Sequence, residues 1–338
     1  MDNIFNRDFL ELGIKADEIR QQKWGKKTFF VRNLHLNYTN ICVSKCRFCA
    51  FAKDEGDDGA YIYEIDEMLK YVEDKGKDAV EIHVVGGLHP SKPFSFYTES
   101  LSALHAAYPK KVIKAFSAVE IEYFSGISGL SAEDVLLQLN KSGLAMMPGG
   151  GAEIFDPEIR NVICPEKIPA KRWVEIHELA HKNGIKTNAT MLYGHVEKDE
   201  HKLRHLETIR NLQEKTGGFL AFIPLSFHPE NTFLKDIYPA TGVEDLKTIA
   251  VSRIMLDNVP HIKAYWVMLG EKTAQIALRF GADDLDGTII KENITHAAGA
   301  TSSEGLTVES LVDFVSSAGL TAVERDAFYN EIKVYDTN

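Results

Sequence analysis

Short apolar runs alternate with longer amphipathic segments along most of the chain. The clearest amphipathic segment has Ile65, Met68, Leu69 and Val72 at positions i, i+3, i+4 and i+7, which is one face of a helix. Runs rich in β-branched and aromatic residues predict strands over 28–36, 79–85, 112–119, 144–147, 185–192, 219–227 and 262–269. Helical spacing predicts helices over 65–72, 99–107, 131–143, 170–183, 203–212, 243–258, 273–280 and 307–318.

This alternation predicts an α/β fold built from repeated βαβ units around a parallel sheet. The seven strands before residue 270 are enough for a (β/α) barrel of the TIM type, complete or partial. An open doubly wound sheet is the runner-up, but its G-x-G-x-x-G fingerprint is absent after the first strand. We predict a helical N-terminal extension over 1–27, a barrel core over 28–270, and a helical region over 271–338. The last region is expected to close over the barrel within the same compact unit.

Composition and charge narrow the classes of function. The 338 residues are 44% hydrophobic and 26% charged, which is ordinary for a globular protein with a sizeable core. The net charge is −11 and no basic run is interleaved with aromatic residues, so nucleic acid is not an expected partner. No segment approaches the roughly 18 uninterrupted apolar residues of a membrane span. The N-terminus lacks a secretory pattern, so we expect a cytoplasmic location, where thiols bind metals rather than form disulfides.

Three of the four cysteines lie close together, as Cys42, Cys46 and Cys49 in the spacing C-x3-C-x2-C. One loop with this spacing can bring several thiolates to a single metal or iron–sulfur centre. Three protein ligands leave a coordination position for another molecule. A zinc site, a redox-sensing thiol cluster and a chance grouping are the alternatives, although no partner pair follows at zinc spacing. Cys164 lies in an apolar stretch and is more typical of a packed small residue.

The cysteine spacing, with Phe48 directly before Cys49, resembles the signature of the radical S-adenosylmethionine (radical SAM) superfamily. The resemblance implies that Cys42, Cys46 and Cys49 bind a [4Fe-4S] cluster and that SAM chelates the remaining iron. It further implies that reduction of the cluster cleaves SAM to methionine and a 5′-deoxyadenosyl radical. A low-potential flavodoxin or ferredoxin is the implied reductant.

Loops after later strands carry further candidates, because chemistry in a parallel barrel collects at the carboxyl ends of the strands. Gly86 and Gly87 resemble the superfamily's glycine motif, whose backbone contacts the amino group of SAM; a tight turn is the alternative. Glu153 follows three glycines and offers a carboxylate either to ribose hydroxyls or to a helix N-terminus. Residues 190–197 partly match the superfamily's adenine motif, with Thr190 in place of its first glycine.

Three histidines at strand ends, His35, His89 and His228, are candidate catalytic residues. Histidine moves protons near neutral pH and donates hydrogen bonds to carboxylates. The chain has 12 histidines, and for each candidate the alternative is a solvated or simply hydrogen-bonded side chain.

Charged residues near the C-terminus have two interpretations each. Arg325 is expected either to bind a substrate carboxylate or to pair at the surface with a neighbouring acid. Asp284 and Asp286 are expected either at the mouth of the barrel or, with slight preference, at a helix cap or in a turn.

Longer segments narrow the resemblance to one subgroup of the superfamily. It comprises aminodeoxyfutalosine synthase, the cyclic dehypoxanthinylfutalosine synthase of the same menaquinone route, and the deazaflavin-forming FO synthase subunits. The similarity extends over about Val31 to Tyr329 and rests on residues 83–90, 149–155, 188–195, 223–231, 261–266 and 281–288.

Residues 285–288, 86–90 and 153–155 resemble the aminodeoxyfutalosine synthase family most. This implies that the adenosyl radical adds to 3-[(1-carboxyvinyl)oxy]benzoate, an aromatic dicarboxylate, and that 6-amino-6-deoxyfutalosine results. A radical cyclase like the second member of the subgroup is one alternative. A non-catalytic Fe–S electron carrier or sensor is the alternative from another class.

Overall fold

The computed structural model describes residues 4–289 and 292–335. After a 3₁₀ turn, Ile4–Asn6, the helices are α1 (Phe9–Trp24), α2 (Ile65–Lys75), α3 (Phe94–Ala107), α4 (Ala118–Ser128), α5 (Ala132–Lys141), α6 (Pro157–Ile163), α7 (Ala170–Lys182), α8 (Asp199–Thr216), α9 (Gly242–Met255), α10 (Trp266–Leu269), α11 (Glu271–Ala277), α12 (Ile294–Ala297) and α13 (Val308–Ser317). The strands are β1 (Lys27–Val31), β2 (Asn33–Leu36), β3 (Glu81–Val84), β4 (Val112–Ala115), β5 (Met146–Met147), β6 (Lys186–Tyr193), β7 (Phe219–Ser226), β8 (His261–Ile262), β9 (Asp284–Gly287), β10 (Thr321–Arg325) and β11 (Glu331–Tyr335).

The main sheet has seven parallel strands in the order β2 to β8, with helices between successive strands. Strand β9 continues this sheet, because Lys263 just after β8 forms a parallel bridge with Asp284. β9 in turn pairs with β1, which leads into β2 with only Arg32 between them. The order of neighbouring strands therefore returns to its start, and the predicted α/β fold with a TIM-type barrel is confirmed.

The predicted amphipathic helix is α2, and its ends are set by its own residues. Glu64 and Glu67 form a reciprocal capping box at its N-terminus. Met68 and Val72 are buried, while Ile65 and Leu69 are half-buried and pack against the core. The apolar face of the helix thus covers the barrel as its spacing predicted.

Two predicted strands are shorter than expected because a helix starts inside each apolar run. Strand β4 ends at Ala115, and Ser117 and Glu120 form the capping box that begins α4. Strand β8 ends at Ile262, and Trp266 begins α10. These runs are buried whichever element they adopt, and hydrophobicity alone does not distinguish a buried helix from a buried strand.

The C-terminal region is not purely helical, contrary to the expectation. The segment rich in Asp and Gly is strand β9, whose four residues are all buried. Strand β10 pairs in parallel with β1 on the edge opposite to β9, and β11 pairs antiparallel with β10. A strand with two aspartates lacks the usual β pattern, and it is stable here because buried cations neutralise both carboxylates. The bounds 28–270 and 271–338 remain a prediction.

The N-terminal extension contains α1, which packs against α9 on the outside of the barrel. Asp8 caps this helix by accepting hydrogen bonds from the backbone of Leu10 and Glu11. No helix among the described residues is long and apolar enough to cross a bilayer.

Candidate active site

A cavity of about 340 Å³ lies at the carboxyl ends of the barrel strands. Its walls come from the loops after β2, β3, β4, β5 and β7, from side chains within β6, and from residues 292–298. This is the place where parallel barrels hold their reacting groups. Of the ten site residues predicted from the sequence, all but His89 line this cavity.

The three predicted metal ligands lie together at one end of the cavity on the loop after β2. Cys42, Cys46 and Cys49 all line the cavity as free cysteines. The backbone of the loop is tied to three other segments: Val43 N–H donates to Leu88 (3.0 Å), Arg47 N–H donates to Ile163 (2.8 Å), and Phe233 N–H donates to Arg47 (2.9 Å). These bonds fix the loop that carries the thiols.

The three free thiols suit an iron–sulfur cluster, which takes one thiolate at each of several separate irons. Burial raises the pKa of Cys46 to about 12 and also raises that of Cys49. Binding of iron deprotonates a coordinating thiol, so metal binding would release the protons of both thiols.

A half-buried lysine lies beside the cluster loop and was missed by the sequence reasoning. The Lys167 ammonium is 2.6 Å from the Glu153 carboxylate and 4.9 Å from the centre of the Phe48 ring. Burial favours the neutral amine, but Cys46 and Glu153 outweigh it and raise the pKa of Lys167. The ammonium therefore supplies a fixed positive charge next to the cysteine loop.

Glu153 lines the cavity in the left-handed backbone region, with φ of 45°. Burial acts to raise its pKa, but the neighbouring Lys167 and Arg160 lower it, so the carboxylate is ionised. Arg160 donates to the carbonyls of Gly151 (3.2 Å) and Ala152 (2.6 Å) and so holds the preceding loop. The predicted contact with a ribose stays a prediction, since one carboxylate oxygen already binds Lys167.

Thr190 lines the cavity from within β6, beside the glycine loop after β5. Its hydroxyl donates to the carbonyl of Gly149 at 2.7 Å. A Cβ on Gly149 would lie 2.7 Å from the backbone nitrogen of Thr190, so only glycine permits this approach. The predicted cofactor contact of Thr190 stays a prediction. In the structure, its hydroxyl connects β6 to the loop after β5.

The predicted glycine motif lies directly against the cysteine loop. Gly86 and Gly87 both line the cavity, and Gly87 N–H donates to the Thr39 carbonyl at 2.9 Å. A Cβ on Gly87 would lie 2.2 Å from the Ile41 carbonyl oxygen and 3.0 Å from the Cys42 Cβ. The glycines therefore allow close packing of the loop that carries Cys42, whether or not their backbone also contacts SAM.

Replacing Gly87 by alanine should displace the cysteine loop. The new methyl group would overlap backbone, which cannot rotate away, and overpacking of this kind costs about 1–3 kcal/mol. We expect a lower unfolding temperature and less iron per chain after anaerobic reconstitution. Gly150→Ala is the matched control, because its Cβ would meet only the Ser117 Cβ at 3.5 Å. Equal iron content in the two variants would contradict the prediction.

The three candidate histidines differ in position. His35 and His228 line the cavity, and His228 donates through Nε2 to the Met268 carbonyl at 2.8 Å. The structure does not bring His89 to the cavity. Its Nδ1 accepts from the Ser91 backbone at 3.2 Å and its carbonyl accepts from the Tyr123 hydroxyl. His89 thus stabilises the turn before α3.

The two expectations for Arg325 were both wrong. Its guanidinium is buried and binds Asp284 at 2.6 Å, so it is neither at the surface nor in the cavity. Asp284 is likewise buried in this ion pair within β9 rather than in a turn. Asp286 does line the cavity, where Lys263 binds it at 2.9 Å. Lys263 lowers the pKa of Asp286, which burial alone would raise.

Further polar side chains inside the barrel were missed by the sequence reasoning. His83, Lys114 and Asn188 line the cavity from within strands β3, β4 and β6. Lys114 forms a buried ion pair with Glu81 at 2.5 Å. The signal was present as isolated polar residues within apolar strands, as in Ile113-Lys114-Ala115. In a closed barrel such residues point to the interior.

Glu120 is a buried carboxylate on the wall of the cavity. It accepts from the Ser117 backbone at 2.6 Å and from the Tyr38 hydroxyl at 3.3 Å. Burial outweighs these hydrogen bonds and raises its pKa to about 7. The group therefore titrates near neutral pH.

Glu120 should make stability depend on pH. Its folded-state pKa lies above the ordinary value of 4.5, so it stabilises the fold fully below that value and loses this contribution as pH rises through about 7. The full loss is on the order of 3 kcal/mol. We expect the free energy of unfolding to fall less between about pH 5 and about pH 8 in Glu120→Gln than in the wild type. Glu122→Gln, on the same helix near the surface, is the control, and an unchanged slope in Glu120→Gln would refute the assignment.

Matches to known proteins extend over almost the whole chain. The family model of the radical SAM superfamily matches residues 36–209, and that of the CofH/MqnC C-terminal region matches residues 216–337. The aminodeoxyfutalosine synthase of Thermus thermophilus is 44% identical over 95% of this chain and 88% of its own length. The 5-amino-6-(D-ribitylamino)uracil–L-tyrosine 4-hydroxyphenyl transferase of Methanocaldococcus jannaschii is 43% identical over 96% of this chain and 93% of its own.

A solved structure supports the same fold. The crystal structure of methylornithine synthase (PylB) matches with a TM-score of 0.75 and 16% identity, over 94% of this chain and 91% of that one. Radical SAM enzymes use a [4Fe-4S] cluster and SAM, and the three free thiols at one end of the cavity fit this requirement. The chain is therefore an enzyme, and neither an electron carrier nor a structural zinc protein is supported. The chain belongs to the radical SAM superfamily, and its C-terminal region matches the model of the CofH/MqnC C-terminal region.

Proposed function

We propose that this enzyme joins the adenosyl group of SAM to 3-[(1-carboxyvinyl)oxy]benzoate and so forms 6-amino-6-deoxyfutalosine for menaquinone biosynthesis. The observation that carries the proposal is the near full-length identity to the aminodeoxyfutalosine synthase of T. thermophilus. When bound, the cluster and SAM supply a 5′-deoxyadenosyl radical. In the proposed reaction the 5′ carbon of the adenosyl group bonds to the enol-ether double bond, and rearrangement follows. The enol-ether carboxylate leaves as carbon dioxide, and methionine and a proton are the other products, so no net oxidant or reductant is consumed.

The cavity has features that suit this reaction. Apolar side chains line part of its wall, among them Leu192, Ile223 and Leu225. Such walls hold an aromatic ring and keep water from a reactive radical. We infer that Gly86, Gly87, Glu153 and Thr190 position SAM between the cluster and the acceptor.

The reductant is a further proposal. A radical SAM enzyme needs a one-electron donor of low potential, and we infer a flavodoxin or ferredoxin. The loop of Cys42, Cys46 and Cys49 has exposed neighbours, Val43 and Arg47, at which such a donor could approach.

A second candidate is the transfer of a hydroxyphenyl group from tyrosine. The observation that favours it is the identity to the M. jannaschii transferase, which is almost as high and covers as much of the chain. The radical cyclase of the menaquinone route is a third candidate, supported by the CofH/MqnC match.

The test is turnover by the anaerobically reconstituted enzyme with SAM, a chemical reductant and one acceptor at a time. We expect a product with the mass of 6-amino-6-deoxyfutalosine from the carboxyvinyloxy-benzoate, with methionine and no matching release of 5′-deoxyadenosine. Stoichiometric 5′-deoxyadenosine with the cyclase substrate, or a hydroxyphenyl adduct from tyrosine and 5-amino-6-(D-ribitylamino)uracil, would replace the proposal. Separate incubation with each acceptor makes these outcomes distinct.

A further inference from the structure

Three polar side chains form a row across the interior of the barrel. His35 on β2 pairs in register with His83 on β3, and His83 pairs in register with Lys114 on β4. Residues in register on adjacent parallel strands point to the same face, so the three side chains are neighbours. All three line the cavity. They lie within strands, whereas the cysteines lie on the loop beyond β2, so the row is deeper in the barrel.

Both imidazoles have an unused nitrogen. The Nε2 atoms of His35 and His83 are buried and have no hydrogen-bond partner among the described residues. Their ring centres are 4.8 Å apart in an edge-to-face arrangement, so neither ring binds the other through nitrogen. A buried polar atom without a partner costs about 1–3 kcal/mol, so each nitrogen is available to a water molecule or to a ligand group in the cavity.

The charges around the row are already compensated. Lys114 is paired with Glu81 and Lys263 with Asp286, each pair buried. Glu292 faces the same cavity, where it accepts from the backbone of Thr295 at 2.9 Å. Burial lowers the pKa of both histidines, and Lys114 adds to this effect. The imidazoles are therefore neutral, and each can donate from one nitrogen.

We propose that His35, His83 and Lys114 form a subsite for a carboxylate, which in the reaction proposed above is the benzoate carboxylate of the substrate. A neutral imidazole N–H and an ammonium are donors, and a row of donors matches an anionic group rather than a cationic one. The assignment rests on the proposed function. The enol-ether carbon must face SAM at the cysteine end, and the carboxylate on the far side of the ring then points down the barrel towards this row.

The proposed subsite can be tested by a binding measurement that does not depend on catalysis. With reconstituted enzyme and SAM but no reductant, the dissociation constant of the carboxyvinyloxy-benzoate is measured by calorimetry. We expect His83→Leu to weaken binding about tenfold to hundredfold, since one hydrogen bond to a charged group is lost. His83→Gln keeps an N–H donor and should restore most of the affinity. His105→Gln, an exposed histidine on α3, is the control.

A change in the ligand tests the same contact in the wild-type protein, so a variant that fails to fold does not end the test. The methyl ester of the benzoate carboxylate should bind at least tenfold more weakly to the wild type, and His83→Leu should bind acid and ester alike. Equal affinity of the wild type for acid and ester, or unchanged affinity in His83→Leu, would overturn the subsite. The proposed function would still stand in that case if the wild type forms the adenosyl product. If the wild type binds no carboxyvinyloxy-benzoate and forms no adduct, the proposed function fails and the subsite fails with it.

Discussion

Replacing Cys46 by serine is expected to abolish SAM cleavage, whereas replacing Cys164 by alanine is expected to leave it intact. Both thiols are buried, and Cys164 follows directly on Ile163, whose carbonyl binds the cysteine loop. Only Cys46 lines the cavity with Cys42 and Cys49. A serine hydroxyl does not replace a thiolate as an iron ligand in such a cluster, so the loss should be complete.

The measurements are iron and sulfide content after anaerobic reconstitution and release of 5′-deoxyadenosine or adenosyl product under reducing conditions. Cys164→Ala deletes one small buried group and should cost stability without lowering iron content. If Cys46→Ser kept the wild-type iron content, the ligand assignment would be wrong. If Cys164→Ala lost the cluster, Cys164 would have to be counted among the ligands.

The barrel could be predicted because its strands are buried on both faces. Strands such as β1 and β7 appear in the sequence as mainly apolar runs with β-branched and aromatic residues, and glycines mark where several of the intervening segments end. The cysteine loop was likewise visible, because its ligands are close in sequence. Strand β9 was not visible, since its aspartates become compatible with burial only when Lys263 and Arg325 arrive from distant segments.

The dependence on contacts between distant segments also limited the prediction of the site. Position at a strand end correctly predicted that His35 and His228 lie at the cavity. It did not distinguish them from His89, whose side chain binds the turn before α3 instead. Lys167 could not be chosen from the sequence, and His83 was marked there only as an isolated polar residue within an apolar strand. Their position depends on which strand pairs with which and in what register, and that information is spread over the whole chain.

Arg325→Met should be among the most destabilising single changes in the chain. Asp284 and Arg325 are both buried, and the loss of the guanidinium leaves a buried carboxylate with its other cation, Lys263, at 3.8 Å. Removing one partner of a buried ion pair typically costs about 3–5 kcal/mol. We expect a loss of this size in the free energy of unfolding, measured in urea. Lys27→Met, which removes an exposed ion pair with Glu331 in the same sheet, should cost at most about 1 kcal/mol.

A second change separates the buried charge from the loss of packing. The double variant Asp284→Asn, Arg325→Met removes the uncompensated carboxylate and should recover part of the loss, because a neutral amide is far less costly to bury than an ion. If the double variant were as unstable as Arg325→Met, the cost would come from the contacts of the guanidinium with the Tyr329 ring, 3.9 Å away, and not from the charge. The ion pair would then be incidental to the stability of β9, and a strand carrying two buried aspartates would need another explanation.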